Sequence, residues 1–291
     1  MTFTDALGVT VTLPHPAQRI ICMSPNLAEI VCAIGAGGQL VGVDDFTKYP
    51  PEAAAKPKIG GIINPDLEKL LALQPDLLLV ARGLDKTRIA KLRDLACPVA
   101  TFDPQSLAQV LTAITEIGRL TGHESQAAQV VAGLGQRLER VRAAAKAAPG
   151  PRPRVLLVIA WDGLYVGGTG GFANDMITEA GGINAVALMK GISPDAPWPV
   201  TTRELVVVSD PQVIIFAGNS ATPSGQSLAE TLKTLRADAA WAELSAVKTG
   251  RVYLLPEDPL TIPGPRLFDG VEAMQRAILG ARTEAKPGAG G

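Results

Sequence analysis

The chain has 291 residues, 47% of them hydrophobic, which is enough for one large or two ordinary domains with real cores. Lysine plus arginine number 27 against 28 aspartate plus glutamate, so no net field recruits nucleic acid or an anionic membrane. Three cysteines without CxxC or metal-ligand spacing, with only His15 and His123, argue against a multi-histidine zinc or iron site, and no metal ligands are assigned.

Met1 leads into TFTDALGVTVTLP, an alternating, hairpin-like stretch with Leu7-Gly8 at its turn. This opening does not read as an export signal, which suits either a cytosolic protein or a mature form whose signal was removed, and no segment reaches the roughly 18–20 apolar residues of a membrane span. A strand from Arg19 to Met23 follows, with Cys22 and, in the next apolar run, Cys32 read as buried thiols. Asn26 is the expected N-cap of a helix through Ile34, stopped by GAGG. Then come a strand at Leu40–Val43, a turn-rich loop carrying Tyr49, a helix from Asp66 to Leu73 and a strand at Leu77–Val80, with Arg82 just beyond. A helix from Lys86 to Leu95, a strand at Val99–Phe102 and a helix from Ser106 to Leu120 complete the first half. Strands alternating with helices predict an α/β lobe with a mainly parallel sheet.

His123 to Ala148 reads as one long helix, with an apolar stripe at Ala127, Val130, Val131, Leu134, Leu138 and Val141. Basic residues gather toward its end, where they complement the helix dipole, and PGPRP stops it. Gly133 and Gly135 weaken it, each by about 1 kcal/mol relative to alanine.

The second half repeats the plan. A strand at Arg154–Ile159 leads into WDGLYVGGTGG and a helix from Phe172 to Ala180. A loop containing DAPWP precedes a helix at Arg203–Val208 and a strand at Val213–Phe216. A helix from Ser227 to Leu235, a strand at Arg251–Leu255 and a helix from Leu267 to Leu279 finish the fold, and TEAKPGAGG reads as a disordered tail. Residues 65–81 lie on residues 201–217 without a gap, which places Glu68 on Glu204 and Pro75 on Pro211, 136 positions apart. The predicted organisation is therefore an N-terminal lobe (1–122), an interlobe helix (123–149), a C-terminal lobe (150–282) and a tail (283–291).

Catalytic motifs are absent: there is no GxSxG, HExxH or P-loop lysine motif, and GGTGG lacks the spacing of a dinucleotide loop. No catalytic residue is assigned. Binding makes better use of the chain, because in α/β lobes ligands bind beyond the carboxyl ends of strands. Ser24, Asn26, Tyr49, Arg82, Trp161, Tyr165, Trp198 and Arg266 are predicted there. Aromatic faces supply apolar area at low entropic cost, and arginine reads carboxylate or phosphate. Trp161 and Tyr165 also fit a core role at a strand end. Glu204 fits a capping box with Thr201, whereas Pro65 cannot cap for Glu68. Two carboxylates at equivalent corners also suit docking onto a two-fold partner carrying arginines.

RIICMSPNLAEIVCAIGAGGQLVGVDDFTKYPPEA, IGGIINPDLEKLLALQPDLLLVA, PWPVTTREL and SDPQVIIFAG together resemble the helical-backbone substrate-binding proteins of ABC importers, most closely their cobalamin- and iron–siderophore-binding members. The resemblance covers Asp5 to about Leu279. It implies two doubly wound α/β lobes joined by one long rigid helix, a ligand cleft between the lobes, and delivery to a permease and ATPase complex by a periplasmic or surface-anchored protein, expected as a monomer. It assigns Glu68 and Glu204 to docking, and Tyr49, Tyr165, Trp198 and Arg266 to the ligand. Cobalamin-binding relatives place tryptophans where this chain has Gly60-Gly61 and Ala81-Arg82, which predicts a roomier, more polar site. The expected ligand is a corrinoid, then a ferric siderophore, then haem, with no intrinsic cofactor. A cytosolic tetrapyrrole- or metal-handling enzyme or chaperone is the alternative of another class.

Overall fold

A computed structural model of the chain describes residues 1–61, 63–81, 86–94 and 97–280. It divides into two units, one comprising Met1–Pro104 and Ala108–Gly135, the other Gln105–Leu107 and the chain from Gln136 onward. Arg82 and the segment expected as a tail lie outside the described residues.

The first unit begins with an antiparallel hairpin, β1 (Thr2–Thr4) and β2 (Thr10–Thr12). Its turn is set by Gly8 at φ 76° and by the Asp5 carboxylate, which accepts from the Leu7 and Val9 amides at 2.9 and 3.0 Å. Then follow β3 (Ile20–Cys22), α1 (Pro25–Ala33), β4 (Leu40–Val43), α2 (Pro51–Ala54), α3 (Leu67–Ala72), β5 (Leu77–Ala81), α4 (Lys86–Arg93) and β6 (Val99–Phe102). Strands β3 to β6 form a parallel sheet in the order β4-β3-β5-β6. They are almost wholly buried, as a parallel sheet covered on both faces requires. The chain continues through α5 (Leu107–Thr121) into α6 (Glu124–Ala147).

In the second unit, β7 (Arg154–Ala160) turns back into β8 (Tyr165–Val166), followed by α7 (Phe172–Glu179), β9 (Ile183–Asn184), α8 (Arg203–Ser209) and β10 (Val213–Ala217). Next are α9 (Leu228–Ala237), α10 (Ala239–Ala242), α11 (Ser245–Lys248), β11 (Val252–Leu255), α12 (Asp258–Thr261) and α13 (Leu267–Leu279). The sheet order is β11-β10-β7-β8, with β9 also on β7; the β7–β8 pair is antiparallel and the others parallel. The two lobes with parallel sheets match the predicted class. The elements not anticipated, α2, β8, β9 and α10 to α12, have two to four residues each, too few to show a period.

The internal repeat is deeper than the sequence match. Strands β5 and β10 begin and end 136 positions apart, and α3 and α8 begin 136 apart. Both helices end in a left-handed, non-glycine residue, Gln74 at φ 47° and Asp210 at φ 38°, again 136 apart. Each end is clamped by an arginine at the start of the neighbouring strand. Arg19 Nε donates to the Leu73 and Gln74 carbonyls at 3.2 and 3.0 Å. Arg154 Nε donates to the Ser209 and Asp210 carbonyls, both at 2.8 Å. Helix C-termini leave carbonyls without intrahelical partners, and both units satisfy them by the same device.

Two expected caps are displaced by one or two residues. Helix α1 starts at Pro25 with Ser24 as its extended N-cap, since proline at the first helical position gives up no hydrogen bond; Asn26 lies inside the helix. Helix α8 is capped by Thr202, whose hydroxyl accepts from the Leu205 amide, while Thr201 is buried with its hydroxyl on Met189 Sδ. Thus Glu204 occupies the second helical position, not the third that a capping box needs.

The unit boundary falls inside α6, after Gly135. The buried stripe holds Ala127, Leu134, Leu138 and Val141. Beyond the boundary, Arg137 bonds Glu272 and Asp269 on α13, and Arg142 bonds Glu179 on α7. These arginines tie the second half of the helix to the second unit through ion pairs with α13 and α7. A β-carbon added at Gly133 or Gly135 would touch nothing, so neither glycine serves close packing.

Candidate ligand site

At the end of β3, the Ser24 hydroxyl donates to Asn26 Oδ1 at 2.5 Å, and both residues are buried. The structure therefore brings these two candidates together but turns them inward. Beyond β4, Tyr49 is 44% exposed, ahead of a cis bond to Pro50. The same loop holds an aromatic that the sequence reading passed over: Phe46, 61% exposed. Its turn is organised by Asp44, whose buried carboxylate accepts from the Thr47 hydroxyl and from the Phe46 amide at 3.2 Å. Burial pushes the Asp44 carboxyl above the usual carboxylate range, against the opposing pull of these donors. An apolar letter in a turn-rich loop between two acidic residues and a threonine was the available signal.

In the second unit, Trp161 directly follows β7. It packs on Phe216 and Trp241 with ring centroids 6.2 and 5.2 Å apart, as the core reading of this residue predicts. It also lines a cavity of about 300 Å³ with Leu164, Thr201, Thr202, Arg203 and Trp241. Tyr165 on β8 is 42% exposed. Trp198, half-buried, meets the buried Phe172 edge-on at 5.3 Å.

The strap carrying Trp198 explains GGTGG. The Gly168 amide donates to the Pro197 carbonyl at 2.8 Å and Gly170 to Ala196 at 3.3 Å. A β-carbon at Gly168 would run into the Ala196 carbonyl, and one at Gly170 into the Asp195 backbone. These amides are occupied and the glycines are needed for backbone contact, so the loop is a seat for the strap and not a phosphate cradle. Arg266 stands at the start of α13 with its guanidinium on the Asp258 carboxylate at 3.0 Å. Arg82 is outside the described residues. Among the described residues no group of three or more histidines, cysteines or carboxylates is placed to hold a metal ion. All three cysteines are free thiols, with Cys32 half-buried; burial pushes Cys32 up to about 11 and Cys97 to about 12.

Glu68 and Glu204 are exposed at the second position of α3 and α8. Their helices are capped by Asp66 and Thr202, also 136 apart, so neither glutamate is consumed as the cap. The Thr202 hydroxyl and the backbone amide of Glu204 hold the Glu204 carboxyl below its usual value, keeping it charged. Three positions on, each helix exposes an apolar side chain, Leu71 and Val207.

Two parallel-sheet units sharing a helix and carrying exposed aromatics beside their strand ends have the build of a binding protein. The periplasmic binding protein family matches residues 20–259, and the chain belongs to it. The chain is similar to an uncharacterized ABC transporter substrate-binding lipoprotein of Bacillus subtilis, at 30% identity over 96% of this chain and 85% of the relative. It is similar to the vitamin B12-binding protein of Vibrio cholerae, at 29% identity over 89% of this chain and 88% of the relative. The crystal structure of the periplasmic vitamin B12 binding protein of Vibrio cholerae superimposes with a TM-score of 0.77 at 26% identity, covering 93% of this chain and all of that one. A periplasmic heme binding protein from Pseudomonas aeruginosa gives a TM-score of 0.74 at 27% identity, over 94% and 95% of the two chains. This chain is the substrate-binding component of an ABC importer, a transport protein and not an enzyme, which works with a permease and an ATPase. Among the described residues no helix is long and apolar enough to cross a membrane.

Proposed function

We propose that the protein captures a corrinoid of the cobalamin type outside the cytoplasmic membrane and presents it, as a monomer, to its permease. The observation that carries this reading is the set of exposed or half-exposed aromatics, Tyr49 and Trp198 on loops and Tyr165 on the short strand β8. Large apolar rings on tethered loops suit a bulky, partly apolar chelate, and relatives of this chain are named for vitamin B12. Arg82 and Arg266 are assigned to the polar or anionic groups of the ligand, and Ser24, Asn26 and Trp161 are assigned to ligand binding as well.

A ferric siderophore is the second reading and haem the third. The opening at Gly61, together with a basic Arg82, favours a roomier and more anionic ligand than cobalamin. Tryptophan fluorescence separates these readings. Cobalamin or cobinamide quenches at submicromolar concentrations if the first is right; no quenching there, with binding of a ferric hydroxamate or catecholate, overturns the ranking.

We assign Glu68 and Glu204 to permease docking. Their equivalence in the repeat suits a partner with two-fold symmetry that offers arginine side chains, with Leu71 and Val207 supplying apolar contact beside each carboxylate. Replacing both glutamates by alanine should leave ligand affinity intact and impair delivery in a reconstituted transporter. A collapse of ligand affinity would show the assignment to be wrong.

A further inference from the structure

Single exposed apolar residues are common on protein surfaces and ordinarily call for no explanation. Phe46 differs in what holds it. Lys58 Nζ donates to the Asp44 and Thr47 carbonyls at 3.3 and 2.6 Å, and the Asp45 amide donates to the Gly60 carbonyl at 3.0 Å. With the buried Asp44 carboxylate bonded to Thr47 and Phe46, residues 44–47 are tied at both ends to β4 and to the 58–60 segment beside it. A turn fixed by a buried carboxylate and a lysine presents a phenyl ring that packing has left in solvent.

The neighbouring glycines make room for a ligand against that ring. Gly60 has φ 90°, and a β-carbon there would lie 2.9 Å from the Asn64 carbonyl oxygen, so this position accepts no side chain in this backbone. Gly61 is different: the nearest atom to an added β-carbon is a Phe46 ring carbon at 3.7 Å, an ordinary contact. A side chain at position 61 would rest on the Phe46 ring; glycine leaves the ring uncovered. The opening and the ring lie at the carboxyl edge of the parallel sheet, on the loop that also carries Tyr49.

We propose that Phe46 is a ligand-contact residue whose ring covers an apolar face of the metal chelate in the space that Gly61 leaves open. This rests on the chelate-binding reading above and adds to it a contact residue on the Tyr49 loop. The turn that carries the ring is pre-organised, so its backbone brings little further ordering cost on binding.

Isothermal titration of the wild type, F46A, F46L and F46W with cyanocobalamin, dicyanocobinamide, haemin and ferric ferrichrome tests it. For whichever ligand the wild type binds, F46A should weaken Kd by about 10- to 100-fold, the range for uncovering one buried aromatic face. F46W should retain binding, and the melting temperature of F46A should be unchanged because the ring packs on little in the free protein. Unchanged affinity in F46A overturns the proposal. If F46A melts lower, F46L decides: weaker binding at wild-type Tm upholds the ring contact, and wild-type affinity rejects it. If the wild type binds none of the four ligands, the chelate reading itself fails, and this inference fails with it.

Discussion

Helix α6 offers a stability test with two opposite signs. Gly133 and Gly135 sit in its interior, where a β-carbon meets no atom within 4 Å. Replacing each by alanine removes about 0.8–1 kcal/mol of propensity cost without introducing a clash, so the double variant should gain about 2 kcal/mol. At 2–4 °C per kcal/mol for a domain of this size, Tm rises by about 4–8 °C. Gly118 in α5 is the control, since a β-carbon there collides with Ala127 Cβ and comes within 3.3 Å of the His123 carbonyl oxygen. Overpacking costs about 1–3 kcal/mol and outweighs the same propensity gain, so G118A should lose up to about 2 kcal/mol. Urea denaturation followed by far-UV circular dichroism reads both, and the slope should stay constant while the midpoint moves in opposite directions. An unchanged or lower midpoint for the G133A/G135A double variant would refute the open-space argument and point to a contact or bend that needs these glycines.

Further outcomes follow from the same structure. Hydrogen bonds from Arg137 hold the Glu272 carboxyl below its usual value, so this pair contributes stability above about pH 4.3 and loses it as pH falls through the lower folded pKa. E272Q should be less stable than the wild type at pH 7, and the difference should shrink in urea titrations below pH 4. R19A and R154A should each destabilise by about 1–2 kcal/mol through the carbonyls they abandon. A much larger loss in one than in the other would contradict the equivalence of the two clamps. G168A should displace the strap that seats Trp198, visible as a red shift in tryptophan emission at wild-type secondary structure.

Periodicity was sufficient for most of the fold. Apolar runs of four to seven residues bounded by glycine and proline marked β3 to β7, β10 and β11, and the three-and-four spacing marked α5, α6 and α13. The 136-residue repeat was legible because strand β5 and β10 and the glutamates before them share their order of residue types. Cap positions were less legible, since Ser24, Asn26, Thr201 and Thr202 are all competent acceptors and only backbone geometry selects among them.

What the sequence alone determined was the two-lobed α/β plan, the long helix and the family to which the motifs point, because these rest on patterns within single segments. What only the tertiary structure decided depends on residues far apart in the chain. Asp195, Ala196 and Pro197 make GGTGG a seat, and Phe216 and Trp241 draw Trp161 toward the core. Asp44 and Lys58 fix the turn that leaves Phe46 uncovered. Burial is a property of the packed whole, so the polar neighbours of Phe46 could signal its exposure but not the distant contact from Lys58 that holds its turn.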